Sequence, residues 1–127
     1  VTALPTHADT LAICRRFGWH EREPGALLHV LSRPAGRQFG VELFPGVHAK
    51  AAALMDTVNR LHPLVDGNKR LSWILVLRTY QLAGLHIEAD DDQAEVFVLT
   101  VAGPHLSVER IAEWLADHCQ SGPSIKG

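Results

Sequence analysis

The chain has 127 residues, enough for one compact domain with its own core and too few for two. With 46% hydrophobic and 20% charged residues it lies well away from disordered compositions and is expected to fold alone. A formal net charge of −2, with eight histidines, gives no general attraction to nucleic acid or to an anionic membrane, so any anion site must be local.

Taken in chain order, Ala8, Leu11, Ala12 and Phe17 predict a first short helix closed by Gly18. Pro24, Leu27, Leu28 and Leu31 predict a second, closed by Pro34, and both read as outer packing helices. From Gly36 to Pro45 the helical repeat breaks, and strand-forming residues surround a glycine; a small hairpin or flap is expected there. The period returns with Val47, Ala51, Leu54, Met55, Val58 and Leu61 on one face and Lys50, Asp56 and Arg60 off it. That amphipathic helix must stop at His62, because Pro63 disfavours helical angles in the residue before it.

A second long helix is expected from about Arg70 to Ala83, ended by Gly84 and apolar on nearly every side, which marks it as the candidate central helix. Asp90 or Asp91 can cap a helix through Val101 that Gly103 and Pro104 stop, and Ser107 can cap a last one carrying Ile111, Trp114 and Leu115. Trp73 and Trp114 fall in apolar helical patterns and read as core anchors. Residues 121–127 read as a loose tail on a single domain spanning 1–127.

Cys14 and Cys119 lie near opposite ends in no metal-type spacing and read as reduced thiols. No HExxH or closely spaced His/Cys set occurs, so no zinc site is expected, and the Walker pattern GxxxxGK[ST] is missing. No charged-then-apolar leader opens the sequence, and the apolar run near Trp73 to Leu77 is too short to cross a bilayer; the expected location is cytoplasmic, with no membrane or nucleic-acid partner.

Between the two long helices lies His62-Pro63-Leu64-Val65-Asp66-Gly67-Asn68-Lys69-Arg70, in which almost every residue is structurally costly. Gly67 and Asn68, just before a helix N-terminus, permit a tight or left-handed turn that aims successive amides into one concavity, a phosphate cradle reinforced by the helix dipole. Lys69 and Arg70 bring two cations to the same mouth, where charge-assisted bonds to phosphate are strong. Asp66 supplies one hard oxygen ligand, which suits magnesium shared with nucleotide phosphates and water. His62, which Pro63 is expected to hold extended, is the candidate general base, since histidine exchanges protons near neutral pH; Leu64 and Val65 are expected to pin the loop to the core.

This segment resembles the active-site signature of the Fic/Doc family, H-x-F-x-[DE]-[AG]-N-[GK]-R, with His62, Asp66, Gly67, Asn68, Lys69 and Arg70 all matching. Leu64 stands where phenylalanine is usual, a smaller aliphatic anchor for the same position. Softer likenesses run through Phe44-Pro45, the alanine-rich stretch Ala49 to Leu54, and Ile111 to Leu115. The resemblance implies a mainly α fold, a compact Fic-type helical bundle around a central buried helix with a small β-hairpin flap.

It also implies that His62 is the catalytic base, that Asp66 holds Mg2+, and that Gly67, Asn68, Lys69 and Arg70 bind the phosphates of ATP or another nucleoside triphosphate. Lysine at position 69, where AMP-transferring members typically carry glycine, is similar to the Doc toxin branch. That branch implies phosphorylation of a protein Ser or Thr hydroxyl, with elongation factor Tu the first target to try and translation blocked as the result. AMP transfer by the same residues and a catalytically silent binding module are the alternatives. No [ST]xxxE[GN] inhibitory pattern occurs, so restraint would come from an antitoxin whose disordered segment folds onto the short N-terminal helices. The flap residues Phe39, Gly40, Val41, Glu42 and Leu43 could dock an extended target segment by strand addition.

Overall fold

A computed structural model describes residues 2–104 and 106–124. Helix α1 spans His7–Phe17, with Thr6 accepting from the Asp9 amide at its start and the left-handed Gly18 (φ 71°) at its end. Its buried stripe passes through Thr10 and Cys14, whereas Ala8, Ala12 and Phe17 are exposed, one helical step away from the expected face. Helix α2 covers Ala26–Ser32 and runs on as a 3-10 turn, Arg33–Ala35, so Pro34 sits inside a tightened last turn and Pro24 precedes the helix.

The flap forms as expected: β1 (Arg37–Gln38) pairs antiparallel with β2 (Val41–Glu42). Its two turn residues, Phe39 (φ 52°) and Gly40 (φ 77°), are both left-handed, the geometry whose twist matches a two-residue hairpin.

Helix α3 spans Gly46–Leu61 and α4 spans Asn68–Leu82, two residues earlier at its start than the sequence pattern suggests. The central position belongs to α3. Its Ala51, Ala52 and Met55 enter one core with Val76, Tyr80 and Phe97, while its Leu54 and Val58 enter a second core with Leu27, Leu71 and Leu75. Three consecutive fully buried alanines, 51 to 53, let neighbouring elements approach α3 closely. In α4, expected to be apolar all round, Leu77 and Leu82 face solvent. Lys50, expected off the packed face, is buried and donates to Glu42 Oε1 (2.9 Å) and the Phe44 carbonyl (2.5 Å), fastening the flap to α3. The same bond and charge hold the Glu42 carboxyl below the ordinary carboxylate range.

After α4 the chain forms β3 (Leu85–Ile87), α5 (Asp91–Ala102), α6 (Val108–Asp117) and β4 (Cys119–Ser121). Asp90 caps α5 in a reciprocal capping box with Gln93, and Ser107 caps α6. Trp114 stacks on Phe97 at 3.8 Å and meets Trp73 edge-on at 6.3 Å, so both predicted anchors meet in one aromatic cluster. No described helix is long and apolar enough to cross a membrane.

The pairing of β3 with β4, Leu85↔Ser121 through Ile87↔Cys119, is a second antiparallel pair that the sequence reading did not anticipate. It corrects the expectation of a loose tail from residue 121: Ser121 is in the ladder and Gly122 N–H donates to Gly84 O (2.9 Å). Residues 125–127 of that tail lie outside the described residues.

His86 on β3 meets two acceptors, Gly122 O through Nδ1 and Glu88 Oε2 through Nε2, both at 2.9 Å. Only the imidazolium can donate to both. The Gly122 carbonyl first, then the Glu88 carboxylate, therefore raises its pKa. A group whose folded pKa is raised contributes fully below its unfolded value, about 6.5, and loses the contribution as pH rises through the folded pKa. Urea unfolding at a series of pH values is expected to show the advantage of the wild type over His86→Gln largest in mild acid and shrinking toward alkaline pH. A pH-independent difference would contradict this assignment.

Candidate active-site loop

The loop between α3 and α4 begins where Pro63 ends the helix. His62, the C-cap of α3, turns left-handed (φ 47°, ψ 65°) rather than extended as expected, while its N–H still bonds Val58 O at 3.0 Å. Pro63 disfavours right-handed helical angles at His62, and the left-handed basin satisfies that constraint while turning the chain back on itself.

The returning strand of the loop is laced to the segment after α1. Arg22 N–H donates to Pro63 O, Val65 N–H to His20 O, and Arg22 Nε to His62 O, all at 2.9 Å. Glu21 and Leu64 form an antiparallel bridge between these bonds. Leu64 is fully buried in the core that contains Leu71 and Leu75, the anchoring role assigned to it; Val65, expected to share that role, is 65% exposed.

Gly67 caps α4 with φ 92°, and its N–H donates to Asp66 Oδ1 at 2.9 Å. A Cβ at residue 67 would stand 2.4 to 2.6 Å from three ring atoms of Trp19, so glycine is required by both its backbone angle and its neighbour. Asn68 starts α4, and its side-chain amide accepts from Leu64 N–H and donates to Leu64 O, both at 2.9 Å. The Asn68 side chain thus makes two bonds within the loop itself. The amides of Asn68, Lys69 and Arg70 belong to the first helical turn and have no intrahelical acceptor.

Lys69 and Arg70 are exposed, and neither has a carboxylate partner among the described residues. Both line a groove of about 560 Å³ with Phe17, Trp73, Ile74 and residues of α5. His62 lines a different recess, of about 320 Å³, walled by Arg22, Glu23, His29 and Pro63. The exposed Asp66 carboxylate has one oxygen on the Gly67 amide and keeps the other available, a donor set that fits magnesium held by one carboxylate plus phosphate oxygens and water. Residues 39–43 of the flap line neither recess; Phe39 is 96% exposed, and Glu42 is engaged by Lys50.

Trp19, Arg22 and Phe17 touch the loop or Arg70, contacts that the sequence did not suggest. Trp19 to Arg22 is a four-residue stretch between helices, too short to carry a period. The signal that was available is Gly67 itself, since a glycine at a helix start implies something close on its Cβ side.

Replacing Asn68 with alanine leaves the Leu64 N–H and C=O without partners. We expect Asn68→Ala to cost about 1–3 kcal/mol in urea unfolding and to remove hydrogen-exchange protection at the Leu64 amide. Unchanged protection would show that the clasp does not form in solution.

The Fic/DOC family model matches residues 5–80, from the start of the chain through the loop and most of α4. Over 97 residues, 75% of each chain, the sequence is 36% identical to the Toxin Doc of Mycolicibacterium smegmatis (strain ATCC 700084 / mc(2)155). No solved structure matches it. The match covers more than half of the chain and contains α3, the His62–Arg70 loop and nearly all of α4, so the chain belongs to the Fic/DOC family.

Proposed function

We propose that this chain is the toxin of a toxin–antitoxin pair and phosphorylates a Ser or Thr hydroxyl of a target protein from a nucleoside triphosphate, blocking translation. Members of the Fic/DOC family are generally protein-modifying transferases, and the relative it matches over three quarters of its length is named a Doc toxin. The observation that carries the kinase reading is Lys69, which stands at the mouth of the cradle beside Arg70, with no carboxylate partner among the described residues.

In this reading the free amides after Gly67, with Lys69 and Arg70, hold the triphosphate and neutralise its charge. Asp66 would hold the magnesium ion, which when bound draws charge from the phosphate oxygens. His62 takes the proton of the incoming hydroxyl. That oxygen forms a bond to the terminal phosphorus while the bond to the bridging oxygen breaks, and a nucleoside diphosphate leaves. In this reading the hydroxyl-bearing segment approaches His62 at one end of the loop, and the terminal phosphate reaches it from Lys69 and Arg70 at the other. The natural restraint is an antitoxin segment that folds on binding, and a cytoplasmic site of action follows from the substrate.

Elongation factor Tu is the first target to try. Incubated with ATP, magnesium and this protein, it is expected to gain one phosphoryl group by intact mass, at a rate that His62→Ala lowers about 10²- to 10⁴-fold. The same assay run across a bacterial lysate fraction extends the search to other targets. A gain of one AMP instead would move the protein to nucleotidyl transfer. No His62-dependent gain on any protein, with no nucleotide binding, would leave only a binding module.

A further inference from the structure

The aromatic pair behind the cradle is assigned no role by the proposed reaction. Trp19 follows the left-handed Gly18, and its N–H bonds Cys14 O at 2.9 Å, so its backbone is tied to the end of α1. Its ring stacks on Phe17 at 4.5 Å with 13° between planes. The guanidinium carbon of Arg70 lies 5.1 Å from the Phe17 ring centre and 5.6 Å from that of Trp19. The same indole occupies the space a side chain on Gly67 would need.

An exposed arginine in the first turn of a helix samples many rotamers, and it loses that freedom when it grips a ligand. A carboxylate could hold it in place, but would cancel its charge and repel a phosphate. Aromatic faces hold a guanidinium by their quadrupoles and leave its net charge and most of its N–H donors available. We infer that Trp19, backed by Phe17, is a positioning residue that pre-orders Arg70 for phosphate and keeps the Gly67 turn in register with it. The inference rests on the reading of the loop as a polyphosphate cradle. Trp19 acts through Arg70 and need not touch the nucleotide.

The test is calorimetric binding of inorganic tripolyphosphate and of magnesium ATP to the wild type, Trp19→Phe, Trp19→Leu, Arg70→Ala and the Trp19→Leu/Arg70→Ala double variant. Leucine keeps apolar cover over Gly67 without a ring, and urea unfolding checks that each variant is folded. Trp19→Phe is expected to bind within about twofold of wild type, and Trp19→Leu about 5- to 30-fold more weakly. The double variant should bind no more weakly than Arg70→Ala, because Trp19 has nothing left to position. A structural readout needs no ligand: the Arg70 Nε–H resonance should be ring-shifted in the wild type and move toward an unperturbed position in Trp19→Leu. Wild-type affinity in Trp19→Leu, losses that multiply in the double variant, or an Arg70 resonance that stays put would each overturn the inference while leaving the cradle intact. A wild type that binds neither probe would overturn the cradle reading and this inference together.

Discussion

The six residues from His62 to Gly67 join α3 to α4 with a single bridge, Glu21 to Leu64, and the Asn68 side chain supplies much of what a strand or helix would. The Asn68 amide satisfies both backbone groups of Leu64 while the Leu64 side chain is sealed in the core, so the loop is tied at its middle from above and below. With that residue held, the left-handed His62 on one side and the left-handed Gly67 on the other have defined directions. The antiparallel lacing from His20 to Arg22 adds a third tie from an element remote in sequence. Positioning of this kind matters in a group-transferring family, because orientation of the reacting groups can supply much of a rate enhancement.

Much of this was legible in the residues. The amphipathic repeat from Val47 to Leu61, the stop at Pro63, the caps at Gly18, Asp90 and Ser107 and the flap around Gly40 all follow from local rules, and they stand in the structure. The identity of the central helix did not follow. Counting large apolar residues favoured α4, but alanine determines how closely neighbours approach, and the run Ala51 to Ala53 makes α3 the shared wall of both cores. Lys50 misleads for a related reason: its charge reads as surface, yet its stem is buried and its ammonium finds Glu42 and the Phe44 carbonyl at the flap.

At the loop, the turn at Gly67 and the burial of Leu64 were legible, and the ties that hold them were not. Asn68 reads from sequence as a phosphate-binding residue, and the structure adds a tie that the sequence did not suggest, its side chain bonding both backbone groups of Leu64. Trp19 and Arg70 lie far apart in the chain, and their proximity depends on how the end of α1 meets the loop, which no spacing of residues encodes. The strands β3 and β4 escape for the same reason. Three residues each, 34 apart, they acquire a pairing pattern only once α5 and α6 have brought them together.

That last pairing also sets the geometry of the chain beyond the fold. Ser121 and Gly122 are fastened beside Leu85 and Gly84, at the C-terminal end of α4, whereas the His62–Arg70 loop is at its N-terminal end. Fifteen helical residues at about 1.5 Å each make α4 a rigid spacer of about 22 Å between the two. Gly122 therefore lies at the pole opposite the His62–Arg70 loop, which makes that pole the natural anchorage for a surface or a label that must leave the loop open.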